Sequence, residues 1–233
     1  MVERVVVIGG GSGIGKAVAA SAKAAGMEVI IAARSADRLR KVARELGSGV
    51  QARPLDVTDA DAVRAFFDAC PPFAHLVYSA GMSRSGPFGM LGVRAAKAVF
   101  ETKFWGAYAC CEAARTQVRQ SITLVSGIAA RKPFPGLHAM AAANGALEAL
   151  ARSMAIELAP IRVNVVAPGL VDTPAYADMP REERNAMFVK LGERLPSRRV
   201  GQPEDIALAC LSLMQNAYIS GSVLDVDGGH RLI

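Results

Sequence analysis

The sequence has no long hydrophobic run and no cysteine pattern typical of a metal site. Of its 233 residues 52% are hydrophobic, but no apolar run reaches the about 18 residues of a membrane-spanning helix. The four cysteines form no CxxC pair and no Cys/His metal spacing. This predicts buried, reduced thiols and no metal. The amino terminus lacks a signal-peptide pattern, so we expect a cytoplasmic protein without a membrane partner.

The sequence also lacks a run of basic residues, although its formal net charge is +6. The Lys and Arg residues are scattered and no DNA- or RNA-binding motif accompanies them, which argues against a nucleic-acid partner. An anionic cofactor or substrate explains a modest positive charge at least as well. Without repeats or linkers, the length favours a single domain over residues 1–233.

Short β-rich apolar runs instead alternate with longer helical stretches. The runs that we interpret as strands are Arg4–Ile8, Glu28–Ala32, Gln51–Leu55, His75–Tyr78, Ser121–Val125, Arg162–Ala167 and Val223–Val226. Several are continuously apolar, as strands buried on both faces are. The pattern predicts an α/β fold, a three-layer doubly wound parallel sheet of about seven strands with helices on both faces (the Rossmann fold).

The least regular part of the chain lies at about 172–203. It contains several prolines around a charged stretch, REERNAMFVKLGER. A charged helix bounded by prolines within a long connection is typical of a lid over a site. An ordinary surface excursion is the alternative interpretation.

A glycine-rich turn, GGGSGIG, directly follows the first predicted strand and leads into an Ala-rich helix. Glycine permits the tight turn, the approach of backbone to a pyrophosphate and close packing of helix on strand, while the helix N-terminus faces the phosphates. Strand, turn and helix together predict a dinucleotide site. The residues that would form it are Gly9, Gly11, Ser12, Gly13, Ile14 and Gly15.

The second predicted strand is followed by Arg34 and Ser35, with no acidic residue. In NAD enzymes an acidic residue at this position binds the ribose hydroxyls. An arginine can instead meet a 2′-phosphate with two parallel hydrogen bonds, which favours NADP(H). The alternative is a solvated arginine at a helix start. Asp56, followed by Val57, ends the third strand and is predicted to accept from the adenine amino group or to cap a helix.

Together these residues resemble the short-chain dehydrogenase/reductase family over nearly the whole chain. The glycine turn and Asp56 match its cofactor motifs, YSAG from Tyr78 resembles its Asn-Asn-Ala-Gly, and IRVNVVAPGLVDTP from Ile161 looks like its sixth strand and the turn beside the nicotinamide. The resemblance implies an NADP(H)-dependent oxidoreductase acting on a small carbonyl or alcohol. It adds the cofactor residues Ser79, Ala80, Gly81, Pro168, Gly169, Val171 and Thr173.

The catalytic residues of the family do not carry over. The family uses Asn, Ser, Tyr and Lys, and the matching positions here hold Lys103, Gly127, Met140 and Asn144. A methionine cannot donate a proton and a glycine has no hydroxyl, so the ordinary proton relay is absent.

One hypothesis is that the lysine and the asparagine of the family have exchanged positions in this chain. Lys103 would then supply the ammonium and Asn144 would bind the nicotinamide ribose. Ser126 and His138, close in sequence to the substituted positions, are the other catalytic candidates. The alternative is a catalytically inactive NADP(H)-binding sensor or regulatory protein, with Lys103 at the surface or an interface.

The helices predicted to carry Lys103 and Asn144 are rich in alanine and poor in charge. Members of the family usually assemble through these two helices. Small residues on an apolar face also allow close helix approach. We therefore expect a homo-oligomer, a dimer or more specifically a tetramer.

Overall fold

One parallel sheet lies at the centre of the fold in this computed structural model, which describes residues 3–233. Its strands are β1 (Arg4–Ile8), β2 (Glu28–Ala33), β3 (Val50–Pro54), β4 (Phe73–Tyr78), β5 (Val118–Val125), β6 (Arg162–Pro168) and β7 (Val223–Val226). They pair in the order β3-β2-β1-β4-β5-β6-β7, every neighbouring pair being parallel.

Helices connect the strands and cover both faces of the sheet. They are α1 (Gly13–Ala24), α2 (Ala36–Leu46), α3 (Ala60–Asp68), α4 (Val93–Phe100), α5 (Gly106–Ala114), α6 (His138–Glu157), α7 (Arg181–Arg194) and α8 (Pro203–Gln215). A π-helical turn, Glu101–Trp105, joins α4 to α5. Short 3-10 turns lie at Ile128–Ala130, Pro174–Tyr176 and His230–Leu232.

Alternate side chains of each strand enter two separate cores, as strand geometry requires. Val6 and Ile8 of β1 pack with Phe67 of α3 on one face of the sheet. Val5 and Val7 pack on the other face, in the core that includes residues of α1, α2 and α8. This is why the strands read as continuously apolar: both of their faces are buried.

The strand order reverses between β1 and β4. The amide of Ser79, after β4, donates to Ile8 O at 2.9 Å, and the amide of Gly9 donates to Ala32 O at 2.8 Å. The loops after β1 and β4 therefore start side by side and then diverge. In open α/β sheets, ligands bind at this switch point, outside the carboxyl ends of the strands.

The predicted fold is confirmed, with small differences at strand ends. β3 begins and ends one residue earlier than predicted, at Val50 and Pro54. β4 and β5 begin earlier, at Phe73 and Val118, which pair with each other across a register irregularity. The apolar run marks only part of β5, because Arg119 and Gln120 near the start of the strand are polar and exposed. Among residues 3–233, no helix has the length and apolar character needed to cross a membrane.

Candidate active site

A cleft of about 1230 Å³ is lined by residues that follow the carboxyl ends of the strands. Every residue predicted to bind the cofactor lines it. Of the four catalytic candidates, Lys103, Ser126 and Asn144 also line it, and His138 does not. The structure therefore brings together in one cavity groups that are far apart in the sequence.

The glycine turn after β1 forms one wall of the cleft with its backbone. Gly9 has a φ of +89°, which L side chains rarely adopt. A methyl group at Gly15 would lie 2.2 Å from the carbonyl oxygen of Gly9, so no side chain fits there. Ser12 precedes α1, and its side chain makes no capping hydrogen bond. The first amides of α1 thus remain available for a pyrophosphate.

Two arginines stand at the end of β2. Arg34 and Arg38 both line the cleft, and within residues 3–233 neither forms an ion pair with a carboxylate. Ser35 caps α2 by accepting a hydrogen bond from the amide of Arg38 at 3.3 Å. Arg38 packs beside the turn, since a methyl group at Gly11 would lie 3.7 Å from its Cδ. The sequence pattern does not single out Arg38, although a second arginine in the first turn of the helix that follows Arg34 is a usable signal.

Asp56, after β3, is held as an ionised acceptor. Its Oδ1 accepts from the amide of Thr58 at 3.0 Å and from the Thr58 hydroxyl at 2.8 Å. The backbone hydrogen bond from Thr58 is the largest cause that lowers the pKa of Asp56. The helix-cap alternative does not apply to it, because Asp59 caps α3 and accepts from the amides of Asp61 and Ala62.

Lys103 lies in the π-helical turn and is 7% exposed. Its Nζ donates to Ser126 O at 3.1 Å and to Val125 O at 3.4 Å. A methyl group at Gly81 would lie 3.8 Å from the same nitrogen. Within the described chain no carboxylate pairs with Lys103, and burial lowers its pKa from 10.5 to about 8. Lys103 is therefore an internal cleft residue, which removes the surface or interface alternative.

The π-helical turn that carries Lys103 is anchored to the sheet. The hydroxyl of Tyr78, at the end of β4, donates to the carbonyl oxygen of Thr102. Gly106, which follows the turn, has no room for a side chain, because a methyl group there would lie 2.5 Å from the Tyr78 hydroxyl. The lysine thus projects from a fixed segment. A π turn is frequent at functional sites, and nothing in the local sequence distinguishes it from ordinary helix.

Asn144 of α6 is 2% exposed and faces Gly127. A methyl group at Gly127 would lie 2.9 Å from Asn144 Nδ2, so the glycine makes room for the amide. Asn144 Oδ1 is buried without a hydrogen-bond partner among the described residues. A buried acceptor left unpaired costs about 1–3 kcal/mol, and a ribose hydroxyl of a bound dinucleotide fits as its donor.

Ser126 lines the cleft, but its hydroxyl takes part in a separate network. Ser126 Oγ lies 3.1 Å from Glu148 Oε1, Glu148 pairs with Arg131 at 3.2 Å, and Arg131 pairs with Asp225. The hydroxyl is therefore already engaged by Glu148. Glu148 was not identified from the sequence, although an acid four residues after Asn144 within an apolar stretch of helix is a visible signal.

His138 begins α6 and does not reach the cleft. Its ring packs edge to face on Phe88, with ring centroids 5.2 Å apart. Met140, two residues further on, does line the cleft, since residues two apart on a helix point in different directions. His138 is therefore misplaced as a catalytic candidate in the sequence prediction.

The segment at 172–203 contributes one wall of the cleft. α7 presents the residues of a single helical face, at spacings of three and four residues, which are Met187, Lys190, Leu191 and Arg194. We call these four residues the α7 face. Tyr176 lies in the preceding turn, and its ring packs on Phe188 at 5.6 Å. Phe134, Leu137 and Met140 line the same region from the other side.

Comparisons with known proteins agree with this geometry. A family model described as enoyl-(acyl carrier protein) reductase matches residues 9–231. A short-chain dehydrogenase/reductase of Stachybotrys chlorohalonatus is 32% identical over 97% of this chain and 96% of its own length. The chain belongs to the short-chain dehydrogenase/reductase family. Two further members extend the comparison to named activities and to a bound cofactor.

Human 3-oxoacyl-(acyl-carrier-protein) reductase is 33% identical over 97% of both proteins. A solved small-chain dehydrogenase in complex with NADPH superimposes on this chain with a TM-score of 0.85. That structure is 36% identical and covers 100% of both chains. The fold and the family predicted from the sequence are thus confirmed.

Proposed function

We propose that this protein is an NADP(H)-dependent oxidoreductase, in which residues 1–233 form one cofactor-binding domain and Lys103 acts as the proton donor. Its substrate is a small carbonyl compound or alcohol. The observation that carries the proposal is the buried ammonium of Lys103, which lies in the cleft without a carboxylate partner among the described residues. A buried charge without an oppositely charged partner is costly, and a role in the reaction would explain why Lys103 is buried here.

The residues of the cleft fit NADP(H) along its length. The turn from Gly9 to Gly15 would hold the pyrophosphate, and Arg34 with Arg38 would bind the 2′-phosphate. Asp56 would accept from the adenine amino group. Asn144 would accept from a nicotinamide ribose hydroxyl through its unpaired Oδ1. The loops after β4 and β6 would hold the nicotinamide through Ser79, Ala80, Gly81, Pro168, Gly169, Val171 and Thr173.

When bound, the nicotinamide supplies or accepts a hydride. An ammonium has three N–H donors, and two carbonyl oxygens, of Val125 and Ser126, accept from Lys103. One N–H therefore remains for the substrate oxygen. Lys103 would stabilise the negative charge that develops on that oxygen and then donate its proton. Its pKa of about 8 lies near working pH, as an efficient general acid requires.

The segment at 172–203 would act as a lid that excludes water from this reaction. Its α7 face and Tyr176 line the cleft, so movement of this one segment would open or close the substrate end. Closing a site against water strengthens the electrostatic interactions inside it.

The direct test is a panel of aldehydes, ketones and quinones with NADPH, in which the loss of NADPH absorbance is followed beside a binding titration. We expect tight NADPH binding and oxidation by at least one class of carbonyl. Tight binding without oxidation by any compound would contradict the enzymatic function.

The second candidate is a non-catalytic NADP(H)-binding sensor or regulatory protein. It is favoured by Met140, which lines the cleft at the position of the family's tyrosine, and by Gly127, which has no hydroxyl. If this second function is correct, the wild type has no activity and Lys103→Met changes none. The measurable response to the ligand would instead be a change in conformation or in partner binding.

We also propose that the protein forms a homo-oligomer, a tetramer, through α5 and α6. Trp105 and Tyr108 are about half exposed near the start of α5, and Ile156 is largely exposed on α6. Exposed apolar side chains on two long helices are typical of an interface. Multi-angle light scattering at micromolar concentration should give a multiple of 24.4 kDa, and a monomer would contradict the proposal.

A further inference from the structure

The two ends of the cleft differ in charge. Among the described residues, Asp56 is the only acidic residue that lines the cleft, and Thr58 holds it at the adenine end. Around Met140 and the α7 face, the lining contains cations, apolar groups, Tyr176 and His230, but no carboxylate among the described residues. A ligand that enters there meets no carboxylate.

The cations of this end belong to the α7 face. Lys190 and Arg194 are one turn apart, and within residues 3–233 neither pairs with a carboxylate. Like charges four residues apart destabilise a helix slightly. The acids of the same helix, Glu182, Glu183 and Glu193, do not line the cleft. The positive charge of the α7 face is therefore uncompensated and directed at the cavity.

His230 is a further titratable residue at this cleft. It lines the same cavity, and its ring packs on Phe134 at 5.0 Å. Its pKa is lowered first by burial and then by the charges of Lys132 and Arg194, with Asp227 acting in the opposite direction. Arg194 therefore contributes to the charge around His230, although less than burial, Lys132 and Asp227 do.

Apolar groups line the cleft together with these cations. Met140 lines the cleft from α6, and Met187 and Leu191 line it from α7. A ligand that reaches from Lys103 to the α7 face must therefore pack a hydrophobic middle portion against these side chains.

We propose that the substrate is an oxo acid with an apolar body, whose carboxylate is bound by Lys190 and Arg194 while its carbonyl reaches Lys103. The assignment of the substrate carbonyl to Lys103 rests on the proposed oxidoreductase function. The assignment of the carboxylate to Lys190 and Arg194 does not, because it concerns binding alone. In reduction, the carbonyl carbon gains a hydride from NADPH and its oxygen gains a proton from Lys103, while the carboxylate is unchanged.

The test compares 4-acetylbenzoate with methyl 4-acetylbenzoate, which share the ketone and the aromatic body and differ in charge. Binding of each to the NADPH-saturated protein is measured by calorimetry at low and high salt, and NADPH oxidation is measured in parallel. The variants are Lys190→Met and Arg194→Met. The matched control is Arg181→Met, which removes a cation from the same helix outside the cleft.

We expect the acid to bind about fivefold or more tightly than the ester at low salt, because a charge-assisted pair at a partly exposed site is of modest strength. High salt should reduce this preference. Lys190→Met and Arg194→Met should each reduce it, whereas Arg181→Met should retain it. NADPH affinity should stay the same in all three variants.

Equal binding of acid and ester, no detectable binding of either, or a preference that survives in both Lys190→Met and Arg194→Met would overturn the proposal. Loss of NADPH affinity in these variants would also overturn it, since the cations would then serve the cofactor. If the acid is preferred but neither it nor any carbonyl compound of the panel is reduced, the oxidoreductase function fails and the carboxylate site stands.

Discussion

The cofactor half and the reaction half of the cleft are built in different ways. The cofactor half depends on backbone: a side chain at Gly15 would collide with the carbonyl of Gly9, so this geometry allows little change of residue. The reaction half depends on side chains that pack around one another, and Asn144 fits there because Gly127 leaves space. Family membership therefore specifies the first half far more tightly than the second.

The largest effect should come from Lys103→Met in the reaction half. Methionine keeps the length and apolar character of the side chain but removes the charge and the transferable proton. We expect the rate of hydride transfer to fall by at least about a hundredfold, measured by stopped flow under single-turnover conditions. NADPH affinity should change little, because the residues that would bind the cofactor's phosphates lie elsewhere in the cleft.

A variant of Lys103 with full activity would eliminate it as the donor. Tyr176 would then be tested next, since it is the only phenol that lines the cleft among residues 3–233 and burial raises its pKa.

In the cofactor half, Arg34→Ala should weaken NADPH binding by about 1.5–3 kcal/mol, and NADH binding much less, because the lost hydrogen bonds go to the 2′-phosphate. The measurement is a fluorescence titration with both cofactors. Arg38→Ala provides the comparison, and we expect a smaller loss. If wild-type protein bound NADPH and NADH equally, the role of both arginines would be wrong.

Lys103→Met should also stabilise the fold at pH 7. Burial lowers the pKa of Lys103 from 10.5 to about 8, which corresponds to a cost on the order of 3 kcal/mol for keeping the charge inside. Loss of its hydrogen bonds to two carbonyls offsets part of this gain, so we expect a net increase in unfolding free energy of about 1–2 kcal/mol.

The sign of its pH dependence follows from the same shift. Below about pH 8 the lysine is charged in both the folded and unfolded states, and the folded protein bears the full cost. Between pH 8 and 10.5 the folded state releases its proton first, so the cost declines. The stability difference between variant and wild type, from urea unfolding, should therefore shrink over this range. A difference that grew with pH would contradict a buried ammonium.

The smallest effect is expected when the family residues are restored by Met140→Tyr with Asn144→Lys. The new lysine would place a second positive charge close to Lys103, and like charges disfavour each other's ionised form. We therefore expect no gain in activity over wild type. Strong activation would show that the site is a decayed version of the ordinary relay and would end the exchange hypothesis.

The sequence predicts the sheet well, and it selects cofactor candidates that all line the cleft, because these signals are local. A strand buried on both faces is a continuous apolar run, as in β1 and β2, and the glycine turn is fixed by its own sterics. The end of β2 also identifies Arg34 without reference to the rest of the chain. These features need no knowledge of what packs against them.

The reaction half is less predictable because its environment is assembled from distant segments. The position of Lys103 in the sequence identifies it as a candidate. Its buried environment, however, includes the carbonyls of Val125 and Ser126, which come from a distant part of the chain. Nothing local shows that the Ser126 hydroxyl is engaged by Glu148, or that His138 turns towards Phe88. Such side-chain directions are decided by tertiary packing.

The most direct measurement is the pH dependence of the single-turnover rate of carbonyl reduction by NADPH, in wild type and in Lys103→Met. No titratable group other than Lys103 contacts the carbonyls of Val125 and Ser126 among the described residues. If Lys103 is the proton donor, the wild-type rate is constant at lower pH and falls about tenfold per pH unit above the Lys103 pKa of about 8. This break should be absent from the variant. A wild-type profile without a break near pH 8, or the same break in Lys103→Met, would contradict Lys103 as the proton donor.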